Sequence, residues 1–129
     1  MASQLTKTRI GDYTVFYDAD ITATAHLDVM AGPCRLVAVR AKNTGNAAPA
    51  YLKTYDALAP TVGTTAPKEI YALEGSGGPG VGHTSFNASP PDGVLFETGL
   101  SFAACNAGGT AGTTNPTGTT TLTLLVKDA

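Results

Sequence analysis

Two histidines and a few carboxylates are the residues whose types could support metal binding or acid–base catalysis. His26 and Asp28 lie two residues apart on one predicted strand (21–29) and therefore project to the same face, while His83 lies in a glycine-rich loop. Their spacing matches none of the recurring zinc-ligand patterns. We therefore interpret His26 and Asp28 as solvated or subunit-facing residues on the outer side of a half-buried strand, and we predict no metal and no cofactor.

Paired carboxylates are the next candidates for chemistry. Asp18 and Asp20 flank a predicted turn, and Glu69 and Glu74 flank a strand end. A glycosidase holds two carboxyl groups across a cleft, usually with aromatic side chains that stack on the sugar, and this chain has no Trp. The glycine-rich run "GSGGPGVG" lacks the Lys-Ser/Thr ending of a phosphate-binding loop. We therefore predict no catalytic residues.

The segment "PTVGTTAP" (60–67) raises the same question of chemistry or connection. Proline cannot donate to a strand ladder, so Pro60 and Pro67 each end a strand. None of the residues between them titrates near neutral pH. The pattern predicts a crossover between two sheets.

Cys34 and Cys105 are the two cysteines of the chain. The polar start "MASQLTKTRIGDY" has no apolar signal core, so we expect synthesis in a reducing cytoplasm. Two buried thiols are then favoured. A disulfide that forms later, in a particle outside the cell, stays open as the alternative, because spacing alone cannot test its geometry.

The composition is that of one β-rich, loop-rich domain. The chain has 129 residues with 20 Ala, 20 Thr, 15 Gly and 8 Pro, and 14% of its residues are charged. Thr favours strands, whereas Gly and Pro favour turns. The net charge is −2 and no basic run occurs, which argues against nucleic-acid binding. No apolar run approaches the length of a membrane span, so no membrane association is expected.

Alternating apolar residues separated by turn signals predict about eight strands in an antiparallel, jelly-roll-like β-sandwich. The domain is expected over 13–129, after a polar arm or first edge strand within 1–12. We predict one hairpin of two strands, 34–43 and 50–58, and a long strand over 94–105 that bends at Gly99. A closing strand over 119–129 would bury Leu122, Leu124 and Val126 on one face. The loop 106–118 is expected to be exposed.

Three stretches carry a resemblance to a known group of proteins. They are "VRAKNTGNAAPAYLKTYDALAPTVGTTAPKEIYAL", then "GVLFETGLSFAAC", then a Gly/Thr-rich loop followed by "TLTLLVK". Together they cover about residues 34–127 and resemble small structural proteins of tailed bacteriophage virions. The resemblance implies a virion component with no catalytic role, made in the host cytoplasm.

The first hypothesis within this group is a decoration (cement) protein on the outer surface of the capsid, bound to the major capsid protein and expected to be a homotrimer at threefold positions. Its arm and glycine-rich loops would dock, with Lys7, Arg9, Lys42 and Asn43 as candidate contacts by charge or turn position. A tail, baseplate or fibre protein that contacts a host glycan is the alternative. A small hydrolase or lyase is the third hypothesis, and it requires a cleft that joins His26 or His83 to a carboxylate.

Overall fold

The computed structural model of the chain describes residues 5–44, 48–73, 82–88 and 93–129. These residues form ten strands and no helix, so none of their segments is a helix that could cross a membrane. The strands are β1 (Leu5–Ile10), β2 (Tyr13–Asp18), β3 (His26–Ala31), β4 (Cys34–Thr44), β5 (Ala50–Asp56), β6 (Glu69–Leu73), β7 (Gly82–Ala88), β8 (Val94–Phe96), β9 (Gly99–Cys105) and β10 (Thr119–Asp128).

The strands pair into two antiparallel sheets. Sheet A has the order β1-β2-β10-β4-β7, and sheet B has the order β3-β9-β5-β6. The short strand β8 also pairs with β4, at the start of β4, where β7 does not reach. With β1 and β8 set aside, the remaining eight strands run first–eighth–third–sixth in sheet A and second–seventh–fourth–fifth in sheet B. That order is the jelly roll, so the predicted all-β sandwich is confirmed.

The core lies between the sheets and follows the alternation of each strand. Phe16, Leu122 and Leu124 of sheet A contribute fully buried side chains, and Leu52 and Phe102 of sheet B do the same. The predicted inward face of the closing strand is confirmed, because Leu122, Leu124 and Val126 are all buried. Burial of such side chains is the main term that favours folding.

Several strand pairings differ from the sequence predictions. β4 and β5 belong to different sheets, so they do not form a hairpin. The segment 60–67 joins β5 to its neighbour β6 within sheet B and is therefore not a crossover between sheets. The run 94–105 is two strands, because the chain leaves sheet A after Phe96 and enters sheet B at Gly99.

A β-bulge at Val37 changes which residues of β4 face the core. Val126 pairs with Leu36 and Leu125 pairs with Ala38, which leaves Val37 as an extra residue. Leu36 and Val39 are therefore both buried, although simple alternation places them on opposite faces.

Asp56 holds the crossing from β8 to β9. Its carboxylate accepts hydrogen bonds from the backbone N–H groups of Thr98 (2.7 Å), Glu97 (3.1 Å) and Gly99 (3.3 Å). Burial alone would raise the pKa of Asp56, but these three donors, together with the Lys68 ammonium, lower it below its ordinary value.

The segment 1–12 was expected as a polar arm or a first edge strand. Its described part forms the edge strand β1, which pairs with β2 from Leu5↔Asp18 to Ile10↔Tyr13. Removal of residues 1–12 would therefore remove a strand of sheet A.

Gly93 is expected to tolerate a side chain less well than Gly109, although both have positive φ angles of 84° and 77°. A Cβ at Gly93 would overlap the carbonyl group of Leu36, whereas a Cβ at Gly109 would meet no atom within 4 Å. Gly109→Ala should lower the free energy of unfolding by roughly 1 kcal/mol from backbone strain alone. Gly93→Ala should lower it by roughly 3 kcal/mol, because the backbone must also move. Urea unfolding of both variants tests this, and equal losses would contradict it.

The stability that Asp56 contributes should depend on pH. Because its pKa is lower in the folded than in the unfolded chain, the contribution is present above the unfolded pKa of about 4 and is lost as pH falls through the folded pKa. Asp56→Asn should therefore cost roughly 1–3 kcal/mol at pH 7 and less at pH 3. Thermal unfolding at both pH values measures this, with Asp12→Asn in the β1–β2 turn as the control. A cost that does not shrink at pH 3 would count against the charge-assisted bonds.

Candidate functional site

His26 and Asp18 form a close pair at one end of the sandwich. His26 Nε2 lies 2.6 Å from Asp18 Oδ2, and the backbone N–H of Asp20 donates to Asp18 Oδ1 at 2.9 Å. Asp18 is fully buried, and the His26 ring lies against Phe102 with ring centroids 5.1 Å apart. His26 therefore faces the interior, which corrects the expectation that it lies on the outer side of its strand.

The position of β3 explains that correction. The strand begins at His26, not at residue 21, and its register against β9 shifts between His26 and Met30. Faces assigned by alternation from residue 21 onward therefore do not apply. The side chains of Asp28 and His83 lie outside the described residues.

The His26–Asp18 pair is suited to joining the sheets. Asp18 ends β2 in sheet A and His26 begins β3 in sheet B, so their hydrogen bond links the two sheets. A side-chain nucleophile activated by this pair would bond to the other ring nitrogen, and no hydrogen bond to that nitrogen occurs among the described side chains. Among all the described residues, no three His, Cys, Asp or Glu side chains are grouped as metal ligands would be.

Lys7 and Arg9, two of the four predicted contact residues, lie on β1. Arg9 forms a bidentate ion pair with Asp128 and also donates to Thr14 Oγ1 at 3.2 Å. This contact ties the first strand to the last and lowers the pKa of Asp128 through the hydrogen bond from Arg9. The Lys7 ammonium lies 5.8 Å from the centre of the Phe16 ring, at the exposed edge of the core. Both residues have structural contacts within the domain.

Lys42 and Asn43, the other two, are neighbours on β4 with opposite environments. Lys42 is exposed on the outer face of sheet A. Asn43 is fully buried, and its side-chain amide donates to the carbonyl oxygens of Ala48 (3.1 Å) and Leu73 (3.3 Å). The prediction that Asn43 is a surface contact is therefore wrong, because its side chain instead holds the loop after β4 to the end of β6.

Cys34 and Cys105 are free, buried thiols on different sides of sheet B. Cys34 belongs to the core between the sheets, where burial, with a further effect of Asp56 and Asp128, raises its pKa to about 11. Cys105 donates to the carbonyl oxygen of Gly112 at 3.5 Å on the other side of sheet B. The structure therefore bears out buried thiols and not the disulfide.

The loop 106–118 covers the outer side of sheet B. Lys53 is fully buried beneath it and donates to the Gly112 carbonyl oxygen at 3.1 Å. Burial raises the pKa of Cys105, while the adjacent Lys53 acts in the opposite direction. Although parts of this loop are exposed, as predicted, it is also a cover for the two central strands, β5 and β9.

Among the described residues, no loop covers the outer face of sheet A in this way. Residues that lie opposite each other on paired antiparallel strands share a face, so the register assigns each side chain to the inside or the outside. We call the outward-facing side chains of β2, β10 and β4 the basic face; its cations are Arg35, Arg40, Lys42 and Lys127. The two carboxylates on these strands, Asp18 and Asp128, belong to the inner face.

Two shallow grooves run across the basic face. One, of about 240 Å³, is lined by Tyr17, Arg40, Lys42, Thr121 and Thr123. The other, of about 300 Å³, is lined by Val15, Ala38, Arg40, Thr123 and Leu125. Because both are open and shallow, the face suits contact with a large partner better than enclosure of a small substrate.

Sequence reasoning found one residue of this face, Lys42, and missed the rest. Arg40 and Lys42 are two residues apart on one strand, and Lys127 follows the alternating run of β10. That spacing was the available signal. The spacing alone does not define a surface, because only the pairing of β10 with β4 brings these cations together.

The sequence matches no family model and no curated protein. Among solved structures, the fold is similar to protein NMB1881 from Neisseria meningitidis at 5% identity and a TM-score of 0.32, over 98% of this chain and 84% of that one. A likeness of this size carries no argument about fold or function.

Both thiols are expected to be unreactive in the folded protein. Burial keeps alkylating reagents away and, by raising both pKa values, keeps the thiolate fraction small. Iodoacetamide at pH 8 should therefore modify neither cysteine in native protein, and both in guanidinium chloride, as counted by intact mass. Modification of either cysteine in native protein at the rate of free cysteine would contradict this.

Proposed function

We propose that this protein is a capsid decoration protein of a tailed bacteriophage. It binds the outside of the head through the major capsid protein and stabilises contacts between capsomers. The proposal rests on the sequence resemblance over residues 34–127 and on one structural observation, the open basic face of sheet A. A protein whose role is to bridge neighbours needs a broad contact surface on a rigid support.

The fold is compatible with this role. Double-sheet jelly rolls occur in viral capsid domains, although they also occur in lectins and enzymes, so the fold alone decides nothing. The exposed edge strand β1 offers a surface for self-association, and we keep the homotrimer as part of the proposal. Many copies on a symmetric shell add weak contacts together, so a modest interface in each copy is sufficient.

A tail, baseplate or fibre protein is the second candidate, and the groove beside Tyr17 favours it. Tyr17 is 43% exposed and shares the groove with Arg40 and two threonines. An aromatic ring beside hydroxyl and guanidinium groups is an arrangement that can bind a sugar by stacking and hydrogen bonding. In that case the partner is a glycan of the host cell and not the capsid.

Binding to phage heads tests the decoration role. Purified protein is mixed with expanded, undecorated heads and sedimented, with protein alone and purified tails as controls. We expect saturable binding to heads near a simple multiple of the capsomer number, and a gain in the heat resistance of the heads.

Two outcomes would contradict the decoration role. Binding to tails or host cells but not to heads would transfer the proposal to the second candidate. Absence of binding to heads, tails and cells would remove support from both.

A further inference from the structure

The basic residues of this acidic chain are concentrated on one surface. The chain carries 8 Lys and Arg against 10 Asp and Glu, and four of those cations lie on the basic face. The other four are distributed differently: Lys7 and Arg9 on β1, Lys53 buried under a loop, and Lys68 before β6. The fold therefore builds a positive surface on a protein whose net charge is negative.

Nothing among the described residues neutralises this surface. The ion pairs among the described residues are Arg9–Asp128 and His26–Asp18, and neither involves a cation of the basic face. Arg40 and Lys42 are both exposed. An unneutralised set of cations attracts a surface of opposite charge and repels a like one.

Apolar side chains form the centre of the same face. Val15 lies opposite Leu125, and Leu125 lies opposite Ala38, so the three make one row across β2, β10 and β4. All three are only half-buried, and they line one of the two grooves. An apolar centre surrounded by polar and charged groups is the usual build of a protein–protein contact.

A second copy does not fit this face. In a twofold pair the same patch lies on both sides, so the four cations would meet the four cations of the other copy. A nucleic acid would satisfy the cations through its phosphates, but it would leave the aliphatic row without an apolar partner. An acidic protein surface with its own apolar patch satisfies both features.

We propose that the basic face is the docking surface and that its partner is an acidic, partly apolar patch on a subunit of the phage shell. This inference rests on the proposed function and names the surface and the chemistry by which it operates. It moves docking away from the arm and the glycine-rich loops. Of the four contacts predicted from the sequence, Lys42 lies on this surface, Asn43 is buried, and Lys7 and Arg9 lie on the other side of β1.

Charge reversal on and off the face tests the proposal. Arg40→Glu and Lys42→Glu each place a carboxylate on the basic face, whereas Lys68→Glu makes the same change of charge at an exposed residue whose backbone bonds to Thr54 of sheet B. Head binding is measured by co-sedimentation at low and high NaCl, after thermal unfolding has shown that each variant folds. We expect the two face variants to lose about tenfold or more in affinity, because a like charge then opposes the partner. Lys68→Glu should change the affinity by less than about twofold, as expected for a charge away from the contact.

The apolar centre is tested separately. Leu125→Asn removes an apolar side chain from the row, and Ile70→Asn makes a similar change at an exposed position of β6, where the isoleucine is 41% exposed. Leu125→Asn should weaken head binding, while Ile70→Asn should leave it unchanged. Head binding by the wild-type protein should also weaken as the NaCl concentration rises. Binding by Arg40→Glu and Lys42→Glu should depend less steeply on NaCl, because each variant has lost a cation of the contact.

The outcomes separate this inference from the proposed function. If the wild-type protein does not bind heads, the decoration role fails. If it binds, and Arg40→Glu and Lys42→Glu bind heads with the same affinity as Lys68→Glu, the decoration role stands and this inference is overturned. If a short DNA duplex binds the basic face and displaces the protein from heads, the occupant is a nucleic acid, and the inference is overturned in that way.

Discussion

The burial of β9 on both faces is the constraint on which the rest of the structure depends. All seven residues of Gly99–Cys105 are buried, and so is most of the neighbouring strand β5. One side of these strands contacts the core, and the other needs a cover. The loop 106–118 provides part of that cover, with the Gly112 carbonyl oxygen as the acceptor for both Lys53 and Cys105. The two central strands of sheet B are therefore covered on their outer side, whereas the described outer face of sheet A presents exposed cations.

This asymmetry gives the two sheets different roles. Sheet B buries its polar groups, as the enclosed ammonium of Lys53 shows. Sheet A presents exposed cations and a row of half-buried apolar side chains to its surroundings. A β-sheet fastened to a packed core is a rigid support, so a partner that binds the outer face meets side chains whose positions are already set. The same arrangement suits a protein whose contribution is contact area.

The fold class and several strands could be predicted from the sequence, whereas the pairing of the strands could not. Alternation is local, so it located β4 and β10 closely. Pairing depends on which distant strands bury each other, and local pattern does not contain that information. The expected hairpin of 34–43 with 50–58 failed for this reason, since the two strands lie in different sheets. The bulge at Val37 places Leu36 on the same buried face as Val39, because one extra residue inverts the alternation beyond it.

The sequence by itself determined that the chain is an all-β sandwich. Thr and aliphatic residues alternate with the period of a strand, and Gly and Pro separate these runs with turns, a pattern typical of strands and not of helices. It also supplied Lys42 as an exposed charge. Only the tertiary structure decided that Asn43, one residue further, is buried, and that Arg35, Arg40, Lys42 and Lys127 form one surface. Strand residues alternate between two environments, and which of them is solvent depends on what covers each sheet. The cover over Lys53 comes from Gly112, which is distant in the chain, so a surface of this kind arises only when the fold is complete.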